Sequence, residues 1–332
     1  MSQYKVVVTD YEYDTFAPEK SVLDQLGIEL TLEQCKTEEE VIAACKDADA
    51  LLNQYAPISR KVLENLPHCK VVSRYGIGFN TVDVEAATEK GIIVSNVTDY
   101  CLDEVSDHAM AFLLSSARKI TKLNNEVKSG TWDFKVAVPV FRLRGRTLGL
   151  LGFGNIPQTL AKKAQAFGIQ VIAYDPFVPR EVADRSQVEL VTLDELCERS
   201  HYISVHLPLN QHTEKMISHD QFNKMKKEAF IINTARGQVI DEAALITALQ
   251  EEKIAGAALD VLEKEPVDPN NPLLKMDNVL INPHAAFYSV EAEAELKRKA
   301  AQNVADVLSG YFPRYLVNKE VKEKLNLKEK EV

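Results

Sequence analysis

Short runs of β-branched and aliphatic residues recur along the chain, with polar-faced stretches between them. Val6-Val7-Val8, Ala50-Leu51-Leu52, Val71-Val72 and Ile92-Ile93-Val94 show no polar alternation, the pattern of strands buried on both faces. Between the first two, Glu38 to Cys45 carries its apolar residues at helical spacing. The alternation resumes after residue 145, with strands predicted at 148–151, 171–174, 202–205, 230–232, 256–259 and 279–281. Two such series predict an α/β fold of two doubly wound parallel-sheet domains, with helices on both faces of each sheet. Between the series, Cys101 to Ile120 reads as one long helix, and Trp132, Pro139 and Gly145 punctuate the irregular stretch that follows. A last amphipathic helix is predicted over 289–309, capped by Ser289 with Gly310 just past its end. The Lys/Glu-rich residues from Asn318 to Val332 read as a solvated, fraying tail.

Composition narrows the picture. A length of 332 residues suits two domains, and 45% hydrophobic with 27% charged residues is an ordinary globular mixture. Disordered, collagen-like and coiled-coil chains are excluded. The net charge of −10 argues against nucleic acid and anionic membrane partners. The densest basic run, Arg142 to Arg146, is too short to make a patch and reads as a solvated loop. No stretch approaches the ~20 apolar residues of a membrane span, and Met1 to Lys5 leads into a strand without a secretory signal. The five cysteines are scattered, with no CxxC pair and no metal-ligand spacing, and so read as reduced thiols. The expectation is a cytoplasmic protein that acts on small molecules and holds no metal.

The sharpest local motif is a strand that runs into a glycine-rich turn and then a helix, Leu148-Gly149-Leu150-Leu151-Gly152-Phe153-Gly154-Asn155-Ile156-Pro157-Gln158. Gly152 permits a tight turn, and Gly154 lets backbone amides approach a pyrophosphate at the positive end of the helix. Pro157 stands at the third glycine position, where it is tolerable because the first helical turn has N–H groups to spare. The next strand ends at Asp175, 21 residues after Gly154, the place of an acidic residue that holds ribose hydroxyls. Its charge favours NAD over NADP. By itself, Asp175 before Pro176 also reads as a turn cap.

Three later strands end in groups able to bind and protonate a small anion. Phe230-Ile231-Ile232-Asn233-Thr234-Ala235-Arg236-Gly237 ends in an arginine, Gly256 to Pro266 in an acidic loop containing Glu265, and Val279 to Ala286 in a histidine, His284. Ligands of open α/β sheets bind at the carboxyl ends of strands. Taken singly, each of these residues also has a plain structural reading.

Taken together, the residues resemble the NAD-dependent D-isomer-specific 2-hydroxyacid dehydrogenases over about residues 45–315. The resemblance rests on Leu143 to Gly149, His206-Leu207-Pro208-Leu209 with Thr213, Asn233 to Gly237, Gly256 to Pro266, and Pro283-His284. It implies a flavodoxin-like substrate domain from 1–101 and 289–332, and a Rossmann cofactor domain from 102–288. Arg236 would bind the substrate carboxylate and carbonyl through its planar fork. His284 would donate and recover the proton, and Glu265 would favour its acid form. Asn155 and Ile156 would cover the pyrophosphate, with Gly152, Gly154, Asp175, His206, Pro208, Thr213, Thr234 and Ala235 completing the cofactor site. Asp260 would lie beside the nicotinamide amide. The loop containing Tyr75, Gly76 and Ile77 would present amides to the substrate carboxylate, with Tyr75 and Tyr100 as candidates for substrate-facing side chains. The resemblance also implies a homodimer formed through the cofactor domains, using the helix after residue 101 and the Trp132 to Val140 arm.

Pro157, Phe79-Asn80-Thr81 and Ser106-Asp107-His108 depart from the common pattern, but Arg236, Glu265 and His284 are intact. His284 to Ser289 looks like the C-terminal-binding protein branch, whose animal members are NAD-linked corepressors. Two function classes follow: an oxidoreductase acting on a small 2-oxoacid or 2-hydroxyacid, and an NAD-sensing interaction module. Within the first, oxidation of phosphite is the variant; formate is disfavoured because formate dehydrogenases of this superfamily place glutamine where Glu265 stands.

Overall fold

The computed structural model describes residues 4–330. The chain divides into two compact units, one made of Met1–Tyr100 with Ser289–Val332, the other of Cys101–Tyr288. In the first unit β1 (Val6–Val8), β2 (Leu30–Leu32), β3 (Ala50–Asn53), β4 (Val71–Arg74) and β5 (Ile93–Ser95) form a sheet in the order β2-β1-β3-β4-β5. In the second, β6 (Thr147–Leu151), β7 (Gln170–Tyr174), β8 (Glu189–Leu190), β9 (Tyr202–Val205), β10 (Phe230–Asn233), β11 (Gly256–Leu259) and β12 (Val279–Ile281) form a sheet in the order β12-β11-β10-β9-β6-β7-β8. Every strand pair within the two sheets is parallel. Both strand orders reverse about their first strands, the doubly wound arrangement that opens a ligand crevice at the carboxyl edge.

Helices α1 (Ala17–Leu23), α2 (Glu38–Cys45), α3 (Arg60–Glu64) and α4 (Val84–Glu89) belong to the first unit. Local chemistry starts several helices. Thr37 and Glu40 form a reciprocal capping box on α2, and Asp83 accepts the Ala86 N–H of α4. The second unit carries α5 (Leu102–Arg118), α6 (Ile120–Lys128), α7 (Asn155–Ala166), α8 (Arg180–Arg185), α9 (Leu193–Arg199), α10 (His219–Lys224) and α11 (Glu242–Gln250). Helix α12 (Val290–Leu308), capped by Ser289, then returns to the first unit, where the Ser73 hydroxyl on β4 donates to the Ala300 carbonyl.

Several expectations need correction. The pattern missed β2 and β8, which are short edge strands with partly exposed side chains, so neither shows a buried run. The helix expected over 101–120 breaks at Lys119, whose left-handed φ of 53° separates α5 from α6. No glycine marks that break. The Lys119 ammonium sits 4.6 Å from the Phe230 ring centre, a contact that offsets part of the strain. The chain from Asn318 to Lys330 is no fraying tail. Asn318 is buried; its side chain accepts the Val94 N–H and donates to Ile92 O and Thr88 Oγ1. Val321 is fully buried and Lys328 bridges to Tyr311. Glu331 and Val332, the end of that expected tail, lie outside the described residues, as does the Met1–Gln3 part of the predicted leaderless start.

Candidate active site

Because the seven strands of the second unit run parallel, the residues that follow each of them line one edge. That edge receives the glycine turn after β6, Asp175 after β7, His206 after β9, Thr234 to Arg236 after β10, Asp260 after β11 and His284 after β12.

Glu265 and His284 meet through their side chains, and backbone contacts fix both. Glu265 Oε2 lies 2.8 Å from His284 Nδ1, and its Oε1 accepts the Leu262 N–H at 3.0 Å. Burial opposes the charge on Glu265, but the His284 and Leu262 hydrogen bonds and the nearby Arg236 charge hold its pKa below the ordinary carboxylate value. An ionised Glu265 accepts only, so Nδ1 of His284 carries the hydrogen and Nε2 is left for a substrate. His284 itself has a φ of 53°, an uncommon conformation for a side-chain-bearing residue. Asp260 holds it there. Its carbonyl accepts the His284 N–H at 2.8 Å, and its two carboxylate oxygens accept the Ala285 and Ala286 N–H groups at 2.9 Å each. Behind it, His108 Nε2 lies 3.7 Å from Asp260 Oδ1 and 3.3 Å from Asn282 Nδ2.

Arg236 follows β10 and its guanidinium donates to the Ala235 carbonyl. Buried Asn233 shapes this turn: its Nδ2 donates to Arg236 O and its Oδ1 accepts the Ala235 N–H. Gly237 is required next, because a Cβ there would lie 1.9 Å from the Leu262 carbonyl carbon. That close approach draws the arginine turn and the acidic loop together. Sequence reasoning did not assign roles to Asn233, Asn282 or His108; an asparagine ending a strand before a turn is a usable signal for the first.

The cofactor candidates also fall on this edge. Gly152 adopts φ +96°, and a Cβ there would meet the His206 carbonyl at 2.9 Å. The amides of Gly154, Asn155 and Ile156 have no hydrogen-bond acceptor among the described residues, and nothing lies within 4 Å of the space a Gly154 Cβ would fill. Buried Pro157 occupies the first turn of α7, where it forfeits no helical hydrogen bond. Asp175 Oδ2 accepts the Phe153 N–H at 2.8 Å while Oδ1 accepts the Phe177 and Val178 N–H groups. It is therefore a turn cap that also secures the glycine loop, with Oδ2 retaining acceptor capacity. Thr234 Oγ1 is buried without a hydrogen-bond partner, an orphaned polar atom that suits a ligand group. These features fit a dinucleotide. Burial pushes the His206 pKa down to about 3, and its Nε2 sits 2.8 Å from Ser204 Oγ, so the ring is neutral. The Thr213 hydroxyl donates to Pro208 O and accepts the Asn210 N–H, closing the loop that carries Pro208.

The substrate-loop residues stand in the first unit. Tyr75 is buried there with its hydroxyl donating to Glu19, which corrects the expectation of a substrate-facing side chain, and Tyr100 is buried too. Gly76 O and Ile77 O accept from Val97 N and Asn96 Nδ2, while the Gly76 and Ile77 amides have no acceptor among the described residues. Among the described residues no cluster of histidine, cysteine or acidic side chains is arranged to hold a metal ion.

Comparison with known proteins places this edge in context. Residues 110–286 match the NAD-binding domain of the D-isomer specific 2-hydroxyacid dehydrogenases. The chain is also 39% identical over 287 residues to a glyoxylate reductase of Korarchaeum cryptofilum, covering 85% of this chain and 86% of that protein. The chain belongs to the D-isomer specific 2-hydroxyacid dehydrogenase family. Membership carries the class of chemistry, NAD-linked interconversion of 2-hydroxyacids and 2-oxoacids. A D-3-phosphoglycerate dehydrogenase of Methanocaldococcus jannaschii is 41% identical over 316 residues, or 95% of this chain, which spans 59% of that protein's length. Among solved structures, a glyoxylate reductase from Paecilomyes thermophila has a TM-score of 0.85 at 28% identity, covering 96% of this chain and 98% of that one. Among the described residues no helix is long and apolar enough to cross a membrane.

Proposed function

We propose that this member of the family reduces a small 2-oxoacid to its D-2-hydroxyacid, with glyoxylate the first substrate to test. The observation that carries this reading is the 2.8 Å contact between Glu265 and His284 Nδ1, which leaves Nε2 as the proton-exchanging nitrogen. Arg236 binds the carboxylate and steadies the carbonyl, and His284 Nε2 donates its proton to the carbonyl oxygen. Glu265 keeps its charge throughout and holds the ring in place through its contact with Nδ1. NADH, when bound, supplies the hydride. The free amides of 154–156, Asp175, Thr234, Ala235, His206, Pro208 and Asp260 are the groups proposed to hold it, with Thr213 fixing the Pro208 loop. In the first unit, the open Gly76 and Ile77 amides are proposed as donors to a carboxylate.

Turnover of a panel of 2-oxoacids, followed by NADH absorbance, tests the reading. Glyoxylate reduction with NADH preferred over NADPH is expected. No turnover on any member, with NADH demonstrably bound, overturns it. The His284 to Ser289 segment favours a second reading, an NAD-sensing module of the C-terminal-binding protein type. A protein partner captured only when NADH is present, from an inactive protein, would support that instead.

The same reading includes a homodimer and a cytoplasmic location. Trp132 and Phe134 are 89% and 72% exposed, and Ile120, Val127, Val138 and Phe141 are exposed beside them. This apolar arm borders a cavity of about 920 Å³ in the second unit, lined in part by Ala117, Val136 and Phe141. Exposed apolar side chains in such number mark an interaction surface, and a two-fold interface would bury them against a second copy. All five cysteines are free and buried, in keeping with a reducing compartment.

A further inference from the structure

The loop after β4 is tied to the interior of the first unit by a polar contact that the proton chemistry does not use. Tyr75 points inward and its hydroxyl donates to Glu19 Oε1 at 2.9 Å, on helix α1. Glu19 is fully buried, and its Oε2 has no hydrogen-bond partner. The Tyr75 ring meets Tyr13 edge-on at 5.3 Å. Lys297, fully buried on α12, donates to the Thr15 carbonyl, pairs with Glu293 at 3.2 Å and lies 4.7 Å from the centre of the Tyr13 ring. Burying a carboxylate, a phenol and an ammonium together costs several kcal/mol unless each is compensated, so the arrangement needs a reason beyond packing.

The neighbouring residues supply one. The Tyr75 N–H donates to Asn53 O at 2.7 Å, and the Gly76 carbonyl accepts from Val97 N at 3.0 Å. With the phenol anchored below, the residues that follow have their carbonyls engaged and their amides left open. We propose that Tyr75 is a positioning residue for substrate binding, and that Glu19 is the acceptor that seats it so that the Gly76 and Ile77 amides are presented to the substrate carboxylate. This rests on the 2-oxoacid reading above. Burial, reinforced by Glu19, raises the phenol's pKa, so it remains a donor at any working pH.

The test compares Tyr75→Phe, which removes only the hydroxyl, with Glu19→Gln, whose amide oxygen still accepts. Removing the hydroxyl frees the loop from its anchor and leaves a buried Glu19 oxygen without its donor, so Tyr75→Phe is expected to raise KM for the oxoacid about tenfold. Its kcat and its affinity for NADH should change by less than about twofold. Glu19→Gln should keep KM within about twofold of the parent. Hydrogen exchange at the Val97 amide, which needs no substrate, should accelerate in Tyr75→Phe and stay slow in Glu19→Gln. An unchanged KM in folded Tyr75→Phe, equal losses in KM, kcat and NADH affinity, or unaltered Val97 exchange would overturn the assignment. Equal damage from both variants would overturn the hydrogen bond as its cause. If the parent protein turns over no 2-oxoacid, the functional reading fails, while the exchange experiment still decides whether Glu19 seats the loop.

Discussion

At the level of single residues, the site is defined by which atoms are already engaged. His284 Nδ1 is held by Glu265, so replacing His284 by alanine is expected to lower kcat by at least ~100-fold, the usual contribution of a positioned proton donor. NADH affinity, read by fluorescence titration, should be nearly unchanged. His206 tests the opposite behaviour. Its folded pKa is pushed down to about 3, below its value in the unfolded chain, so unfolding takes up a proton at acid pH. Its contribution to stability is therefore complete above about pH 6.5 and is lost as pH falls toward the folded value. Urea unfolding from pH 6.5 to 4 should show that His206→Gln flattens the acid-induced loss by about one proton. Arg236, Glu265 and His284 stood out in the sequence only as a set, each following a strand, and the fold brings all three to one sheet edge. The inward-facing Tyr75 and the locally engaged Thr213 were not legible, because a hydroxyl reads the same whether it meets a ligand or its own loop.

Among the elements, the central strands were readable as unbroken apolar runs because both of their faces are covered. Edge strands β2 and β8 lack that signal, having fewer covering neighbours. The turn after β12 holds information that no periodicity shows: the left-handed His284 is stabilised from β11, through the carbonyl and carboxylate of Asp260. In Asp260→Asn one acceptor becomes a donor facing an N–H group. A loss of ~2–3 kcal/mol at that turn is expected. Steady-state kinetics should show kcat reduced at least tenfold, while circular dichroism stays that of the parent. A kcat within twofold of the parent would mean that the turn holds His284 without Asp260.

At the scale of the whole molecule, the first unit is completed by chain that arrives after the second has been made. Asn318 shows how strongly the two ends depend on one another: it bonds the N–H of Val94, the carbonyl of Ile92 and the hydroxyl of Thr88. Asn318→Ala leaves those groups buried and unpaired and should destabilise the first unit by roughly 2–3 kcal/mol, measured by denaturant unfolding with Val94 exchange as the local probe. Self-association is tested on the exposed arm. Phe134→Asp combined with Trp132→Asp should convert a dimer into a monomer in light scattering, with secondary structure unchanged. A monomeric parent protein would remove the dimer from the proposal.

The apolar pattern by itself determined the two parallel-sheet series, the capped helix that closes the chain and the strands whose ends carry the reactive groups. These are consequences of local periodicity and of residue types with few alternative uses. Only the tertiary structure decided where polar side chains point: Tyr75 inward to Glu19, Asp260 onto the His284 turn, and Asn318 onto the edge strand β5. It also made the presumed tail part of a core. Those contacts join residues far apart in the chain, and a polar side chain takes whichever partner the fold brings within hydrogen-bonding distance.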